Sequence, residues 1–170
     1  MGERTQKERL TREFSAGGVV FKKDGNQVLW LITQTSSSKL FPKSYWRLPK
    51  GWLDDNNNEP GELASGQKRA TENQIRKAAL KEVQEEGGVK AKIVSKIGTS
   101  SYFYTINKVK KLKFVVFYLM EWQKDLPEGF GWETSAIKWL EFKEAHQILS
   151  SKKEKEILAK VREIRKLREN

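Results

Sequence analysis

The chain contains no cysteine and only one histidine, His146. Disulfide staples, zinc ribbons and thiol nucleophiles are therefore excluded, and so is a multi-histidine metal centre. Any metal has to sit on oxygen ligands. No apolar run approaches the roughly 18 residues of a membrane span, and the charged segment from Met1 to Arg12 lacks the apolar stretch of a signal peptide. Gly2 invites a myristoylation reading, but Gln6 stands where that signal has Ser or Thr. The expectation is a soluble, cytoplasmic protein with no membrane partner. Hydrophobic residues make up only 37% of the 170, yet six Trp, four Tyr and eight Phe supply enough bulk for a core and argue against disorder. The length fits one domain, 1–170, with residues 1–12 expected to be flexible.

Acid is scarce in two places. Lys39, Lys43, Arg47 and Lys50 lie between Ser36 and Leu53 with no Asp or Glu among them, and seven lysines lie between Gly87 and Met120, again without an acid. Together these segments account for the whole net charge of +11. Two readings stand: solvated faces of strands and loops, or a field for a polyanion.

The chain opens with two β-rich runs, Phe14 to Lys22 and Gln27 to Gln34, joined by Lys23-Asp24-Gly25-Asn26, whose Asp-Gly pair is a hairpin signal. Asp54 to Thr71 is polar, with three consecutive Asn and Pro60-Gly61, and reads as a long excursion. Ile75, Ala78, Ala79 and Val83 recur at helical spacing, which predicts a helix over 72–87 stopped by Gly87-Gly88. Strands are expected at Lys90 to Gly98, Thr99 to Ile106, Lys111 to Trp122 and Ile137 to Glu141. Helices are expected at Lys143 to Leu149 and over 152–168. Ile157, Leu158, Val161, Ile164 and Leu167 would pack the last helix on the sheet; as a basic amphipathic stretch it could instead touch a partner or a membrane surface. The pattern is that of a mixed α/β domain.

Glu82, Glu85 and Glu86 fall at i, i+3 and i+4, so three carboxylates share one turn of that helix. They repel one another, and they sit in the last turn, where the helix dipole favours cations. A bound cation would reverse both penalties. With oxygen ligands alone, Mg²⁺ or Mn²⁺ is the fit. The alternative is a solvated acidic face relieved by Lys81 and Lys90.

These residues carry a family resemblance. Lys81-Glu82-Val83-Gln84-Glu85-Glu86-Gly87-Gly88-Val89, preceded by Leu48-Pro49-Lys50-Gly51, resembles the box of the Nudix hydrolases, G-x5-E-x7-R-E-U-x-E-E-x-G-U with U aliphatic. Ser15-Ala16-Gly17-Gly18-Val19-Val20 is similar to the family's first strand. Trp132-Glu133, Ile137-Lys138-Trp139-Leu140 and Glu144-Ala145 are similar to the closing segment of its diadenosine tetraphosphate hydrolase branch. The resemblance implies a Nudix-like α/β/α sandwich with a mixed sheet. It also implies a divalent ion held by Glu82, Glu85, Glu86 and the carbonyl of Gly51, and a catalytic base, Glu133 first and Glu82 second. For Glu133 the alternative is an exposed loop acid.

Three departures stand out. Gly51 lies thirty positions before Lys81 where the pattern has fourteen, so about 16 residues are inserted. The middle Glu of the box is thereby either Glu62 or Glu72. Lys81 replaces the box arginine and keeps the charge without the planar fork, which implies reduced rather than absent activity.

Phosphates beyond the metal need cations, and Lys43, Lys50, Lys108, Lys111 and Lys113 are the candidates. Tyr102, Phe103 and Tyr104 are candidates for stacking on a base, with core packing as the competing explanation. His146 reads as a surface helix residue. The expected activity is hydrolysis of a pyrophosphate bond in a nucleoside polyphosphate, a dinucleoside polyphosphate such as diadenosine tetraphosphate or an NTP. Removal of pyrophosphate from an RNA 5′ end is a second reading, and a Nudix-fold protein that binds nucleotide or RNA without turnover is a third. The sequence is silent on oligomeric state.

Overall fold

The structure, a computed structural model, describes residues 10–169, with side chains described as far as Ile164. The flexibility expected of residues 1–9 concerns positions outside the described residues, while Thr11 and Arg12 already belong to the first strand. β1 (Thr11–Asp24) and β2 (Gln27–Thr35) form the expected hairpin. Asp24 pairs with Gln27 across a two-residue turn, and Gly25 there takes a φ of +61°.

Two short strands follow, β3 (Trp46–Arg47) on β2 and β4 (Lys50–Trp52) on β1. The inserted segment folds on itself. β5 (Asp55–Asn56) and β6 (Glu59–Pro60) make a small hairpin turned by Asn57 and Asn58, both at positive φ. The Asp54 carboxylate accepts hydrogen bonds from the backbone N–H of Leu63 (3.1 Å) and Ala64 (2.8 Å). Ala64 is fully buried, and its carbonyl accepts from Phe14 N–H at 2.8 Å, which ties the insertion to β1.

Helix α1 (Glu72–Gly87) spans the expected residues. Thr71 caps it in a reciprocal box with Gln74, and Gly88, at φ 67°, closes it by donating to the Gln84 carbonyl. Beyond it the sequence suggested two strands divided at Gly98, but the structure has one, β7 (Val89–Ile106). Register shifts at Ile93/Ser95 and Lys96/Gly98 absorb the glycine as irregularities in a continuous ladder. β8 (Val109–Asp125) returns antiparallel after the turn at Asn107-Lys108 and lies parallel to β1, from Thr11 opposite Lys111 to Phe21 opposite Glu121. β9 (Thr134–Leu140), which begins earlier than Ile137, pairs with the second edge of β2. α2 (Phe142–Ile148) and α3 (Lys152–Glu169) complete the chain.

Period-two alternation sends the strand side chains into two cores. Val19, Phe21, Ile32, Val115 and Phe117 pack with Ile157, Leu158 and Val161 of α3, whose Ile164 lies against the same cluster. Leu167 lies outside the described side chains. Val20, Leu31, Tyr118 and Met120 pack against Ala78, Ala79 and Val83 of α1. One mixed sheet thus carries helices on both faces, the α/β/α sandwich that the resemblance implied. Among the described residues no helix is long and apolar enough to cross a membrane.

Candidate active site

The C-terminal turn of α1 meets β4 at Gly51. A Cβ placed on Gly51 would run into the carboxyl group of Glu82, so that carboxylate lies directly against the strand backbone. Glu86, 2% exposed, sits one turn further on. Its Oε2 accepts the Lys50 backbone N–H at 3.0 Å, and its Oε1 accepts Nη2 of Arg47 at 2.6 Å. Glu85 points outward, more than half exposed, with Lys81 at 3.8 Å.

The loop that follows β8 closes over this helix end. Gly131 N–H donates to the Glu85 carbonyl at 2.6 Å, and Leu126 N–H to the Gly88 carbonyl at 2.8 Å. Ser36 then fixes Trp132 and Glu133 by accepting neither of their side chains but donating to both of their carbonyls, from Oγ at 2.8 Å and from N–H at 2.9 Å. Burial pushes the Glu82 carboxyl from an ordinary 4.5 up to about 8, helped by the charges of Glu86, Glu85 and Glu133. Burial likewise raises Glu86, against the pull of Arg47 and the Lys50 N–H. Four carboxylates thus share one electrostatic neighbourhood.

Beside them is a wall of paired charges. Glu13, 1% exposed, accepts Lys111 Nζ at 2.9 Å, the Tyr104 hydroxyl at 2.5 Å and Trp52 Nε1 at 3.2 Å, with Lys113 Nζ at 3.8 Å. Burial alone would raise its carboxyl, but these donors and lysines hold it below the ordinary range. Lys113 is pushed down to about 8 by burial and by the charges of Lys50 and Arg47, against the pull of Glu13. Glu154 of α3, 3% exposed, accepts Leu48 N–H at 2.6 Å and Lys50 Nζ at 2.8 Å. Tyr102 and Tyr104 stand 6.3 Å apart on this wall, Tyr102 under the Lys50 ammonium and Tyr104 under that of Lys113. An open cleft of about 760 Å³ adjoins it, lined by Arg12, Glu13, Lys111 and, from the insertion, Glu59, Pro60 and Ser65.

The structure therefore brings together Glu82, Glu85, Glu86, Gly51 and Glu133, and next to them Lys50, Lys111, Lys113, Tyr102 and Tyr104. It does not bring in Lys108, which turns the β7–β8 hairpin five residues beyond Lys113, or roughly 16 Å along the strand. Lys43 lies on the exposed loop between β2 and β3. Lys50 is not a free cation for substrate, because its buried ammonium belongs to Glu154. Neither candidate for the middle Glu joins the cluster: Glu62 pairs with Lys68 on the surface, and Glu72, at the far end of α1, bonds the Tyr118 hydroxyl and Lys96. Phe103 faces away from its tyrosine neighbours and lies 56% exposed beneath Lys110. His146 stacks on Phe142 within α2. Sequence reasoning missed Arg47 as a partner of the helix and both buried acids, Glu13 and Glu154. Arg47 beside Leu48-Pro49-Lys50-Gly51, in a chain without the box arginine, was the available signal.

The sequence model of the Nudix domain matches residues 11–161. The chain belongs to the Nudix family. Solved structures agree on the fold. The Ap4A hydrolase of C. elegans, in a binary complex, superposes with a TM-score of 0.63 at 22% identity, covering 89% of this chain and 96% of that one. The Nudix domain of Shewanella oneidensis NrtR, complexed with ADP ribose, gives 0.64 at 15% identity over 89% and 87%. The E. coli dihydroneopterin triphosphate pyrophosphohydrolase gives 0.58 at 15% over 88% and 94%. No curated protein matches the chain. Nudix membership, with hydrolases among the structural relatives, supports the pyrophosphohydrolase class acting on nucleoside-diphosphate-linked substrates.

Nudix hydrolases generally use divalent metal ions, and the residues at the helix end suit one in chemistry: hard oxygen donors, desolvated and mutually repelling. As they stand, no group of three or more such side chains among the described residues is arranged to hold an ion. Both Glu86 oxygens are engaged by Arg47 and the Lys50 N–H, and Glu85 faces outward.

Proposed function

We propose that this Nudix protein hydrolyses a pyrophosphate bond in a dinucleoside polyphosphate such as diadenosine tetraphosphate, or in an NTP. The observation that supports it most is the contact of Gly51 with the Glu82 carboxylate, beside a wall of lysines and tyrosines. Glu82, Glu85, Glu86 and the Gly51 carbonyl would hold Mg²⁺ or Mn²⁺, which neutralises charge on bridging phosphates and lowers the pKa of bound water. Lys111 and Lys113 meet the remaining phosphate charge, exchanging Glu13 for the substrate. Tyr102 and Tyr104 offer ring faces for a base. Glu133, fixed through its backbone by Ser36, accepts the proton of the attacking water.

A second reading, an RNA 5′ end as substrate, is favoured by Trp132, which is 82% exposed next to Glu133 and offers a stacking face for a following nucleotide. Incubation with diadenosine tetraphosphate and with triphosphorylated RNA, each with Mg²⁺, separates the two. Cleavage of the dinucleotide that disappears when Glu85 and Glu86 become Gln, in a variant that still folds, is the expected result. Tight nucleotide binding with neither substrate cut would leave the non-catalytic reading standing instead.

A further inference from the structure

Among the described residues α1 supplies no guanidinium to the carboxylates of its last turn: its arginine, Arg76, lies over the Tyr118 ring near Glu72. Lys81, at the position of the family's arginine, pairs with Glu85 at 3.8 Å, with both side chains more than half exposed. A guanidinium arrives instead from β3, where Arg47 donates to Glu86 at 2.6 Å across 39 positions of sequence. The Arg47 backbone is anchored, since its carbonyl accepts the Thr33 hydroxyl at 3.1 Å and its strand pairs with β2. Its side chain is less committed. Nη2 goes to Glu86, while the buried Nε has no partner.

The counterions of the neighbouring cations differ in kind. Lys50 is paired with Glu154 and Lys111 with Glu13, acids that no metal site would claim. Among the described residues, Arg47 is paired with the buried carboxylate of the turn read as metal-binding, whereas Lys81 meets only the exposed Glu85 there. Glu86 Oε2 already accepts the Lys50 N–H, so a divalent ion that takes this carboxylate through Oε1 would compete with the guanidinium for that oxygen. An Arg47 released from Glu86 keeps its charge, which the Glu154 and Glu133 carboxylates favour, and it lies close enough to Lys113 to help depress its pKa. Such crowding of like charge is relieved by a polyphosphate. The planar fork matches phosphate oxygens two at a time.

We infer that Arg47 is a displaceable cation: it occupies Glu86 until a divalent ion takes that carboxylate, and it then binds the phosphate of the substrate. The inference rests on the reading of Glu86 as a metal ligand. It makes metal affinity and substrate affinity respond to Arg47 with opposite signs, which a merely structural role would not.

The test compares the wild type with Arg47→Met and Arg47→Lys at one fixed pH. Mn²⁺ binding is measured without substrate, by the electron paramagnetic resonance of the free ion. Binding of α,β-methylene ATP is measured separately at saturating Mg²⁺, and thermal melting reports folding. Arg47→Met is expected to bind Mn²⁺ about tenfold more tightly and the nucleotide about tenfold more weakly, the scale of one hydrogen bond to a charged group. Arg47→Lys, which keeps the charge without the fork, shifts both in the same directions by less and carries the test if the Met variant does not fold. Mn²⁺ affinity that is unchanged or weaker in a folded variant overturns the inference while the metal reading stands. Failure of every form to bind Mn²⁺ overturns both.

Discussion

Gly51 and Glu82 meet without room for a methyl group, so the smallest possible side chain at 51 has to push the carboxylate aside. Gly51→Ala is expected to fold, by circular dichroism and melting, and to lose about a hundredfold in turnover, the cost of misplacing a reacting group by an ångström. Lys113 supplies a pH signature. Its ammonium is depressed to about 8, so above that pH it has lost its proton in the free protein, and phosphate binding would restore it. Nucleotide affinity should therefore fall as pH rises through about 8, and Lys113→Arg should flatten the profile; a profile that stays steep in the variant assigns it elsewhere. In terms of stability the sign is opposite to that of a lysine whose pKa is raised: burial makes the folded chain hold this proton less tightly than the unfolded chain, so stability from Lys113 rises between about 8 and the ordinary 10.5. The carboxylates of the turn were legible at this scale because i, i+3, i+4 spacing suffices to converge them. Arg47, Glu13 and Glu154 were not, because their partners lie 39, 98 and 104 positions away and a charged residue shows no local mark of being buried.

Helical periodicity with the Gly87-Gly88 stop gives the bounds of α1, and the Asp24-Gly25 pair places the turn of the first hairpin, whereas the Thr71 cap is seen only in the structure. The sequence divides β7 in two at Gly98, because a glycine within a strand looks the same whether it ends the ladder or bulges within it. The insertion was marked by composition, but its anchor was invisible. Asp54 takes two backbone donors, Leu63 and Ala64, that have no other acceptor in the segment's own hairpin. Asp54→Ala should therefore cost about 2 kcal/mol in denaturant melts, the penalty of leaving two half-buried backbone donors unpaired. Asp54→Asn, which keeps one acceptor oxygen, should recover part of it.

Across the whole molecule the excess of +11 is less available than its sequence suggests. Lys50, Lys111 and Lys113 come from the two acid-free segments, yet each faces a buried acid from outside them, Glu154 or Glu13. Arg47 likewise faces Glu86, and what projects outward includes Lys43, Lys108 and Lys110. Substrate capture should thus weaken with salt as long-range steering is screened over about 8 Å at physiological ionic strength. A loss in association rate between low and physiological salt, with dissociation nearly constant, is the expected stopped-flow result; a loss confined to dissociation would place the attraction in the paired wall instead.

The parallel ladder between β1 and β8 also orders events in time. Thr11 waits for Lys111 and Phe21 for Glu121, a closure of about a hundred residues, whereas the hairpins beside it close locally. Such distant pairing is slow to form and leaves strand edges open meanwhile. On the ribosome, β1 and β2 can meet at once, but the inner edge of β1 stays bare until β8 has been made. The strand that packs on both cores is thus among the last to commit, and a nascent chain paused before Lys111 would carry Glu82, Glu85 and Glu86 on a helix whose sheet is still unfinished.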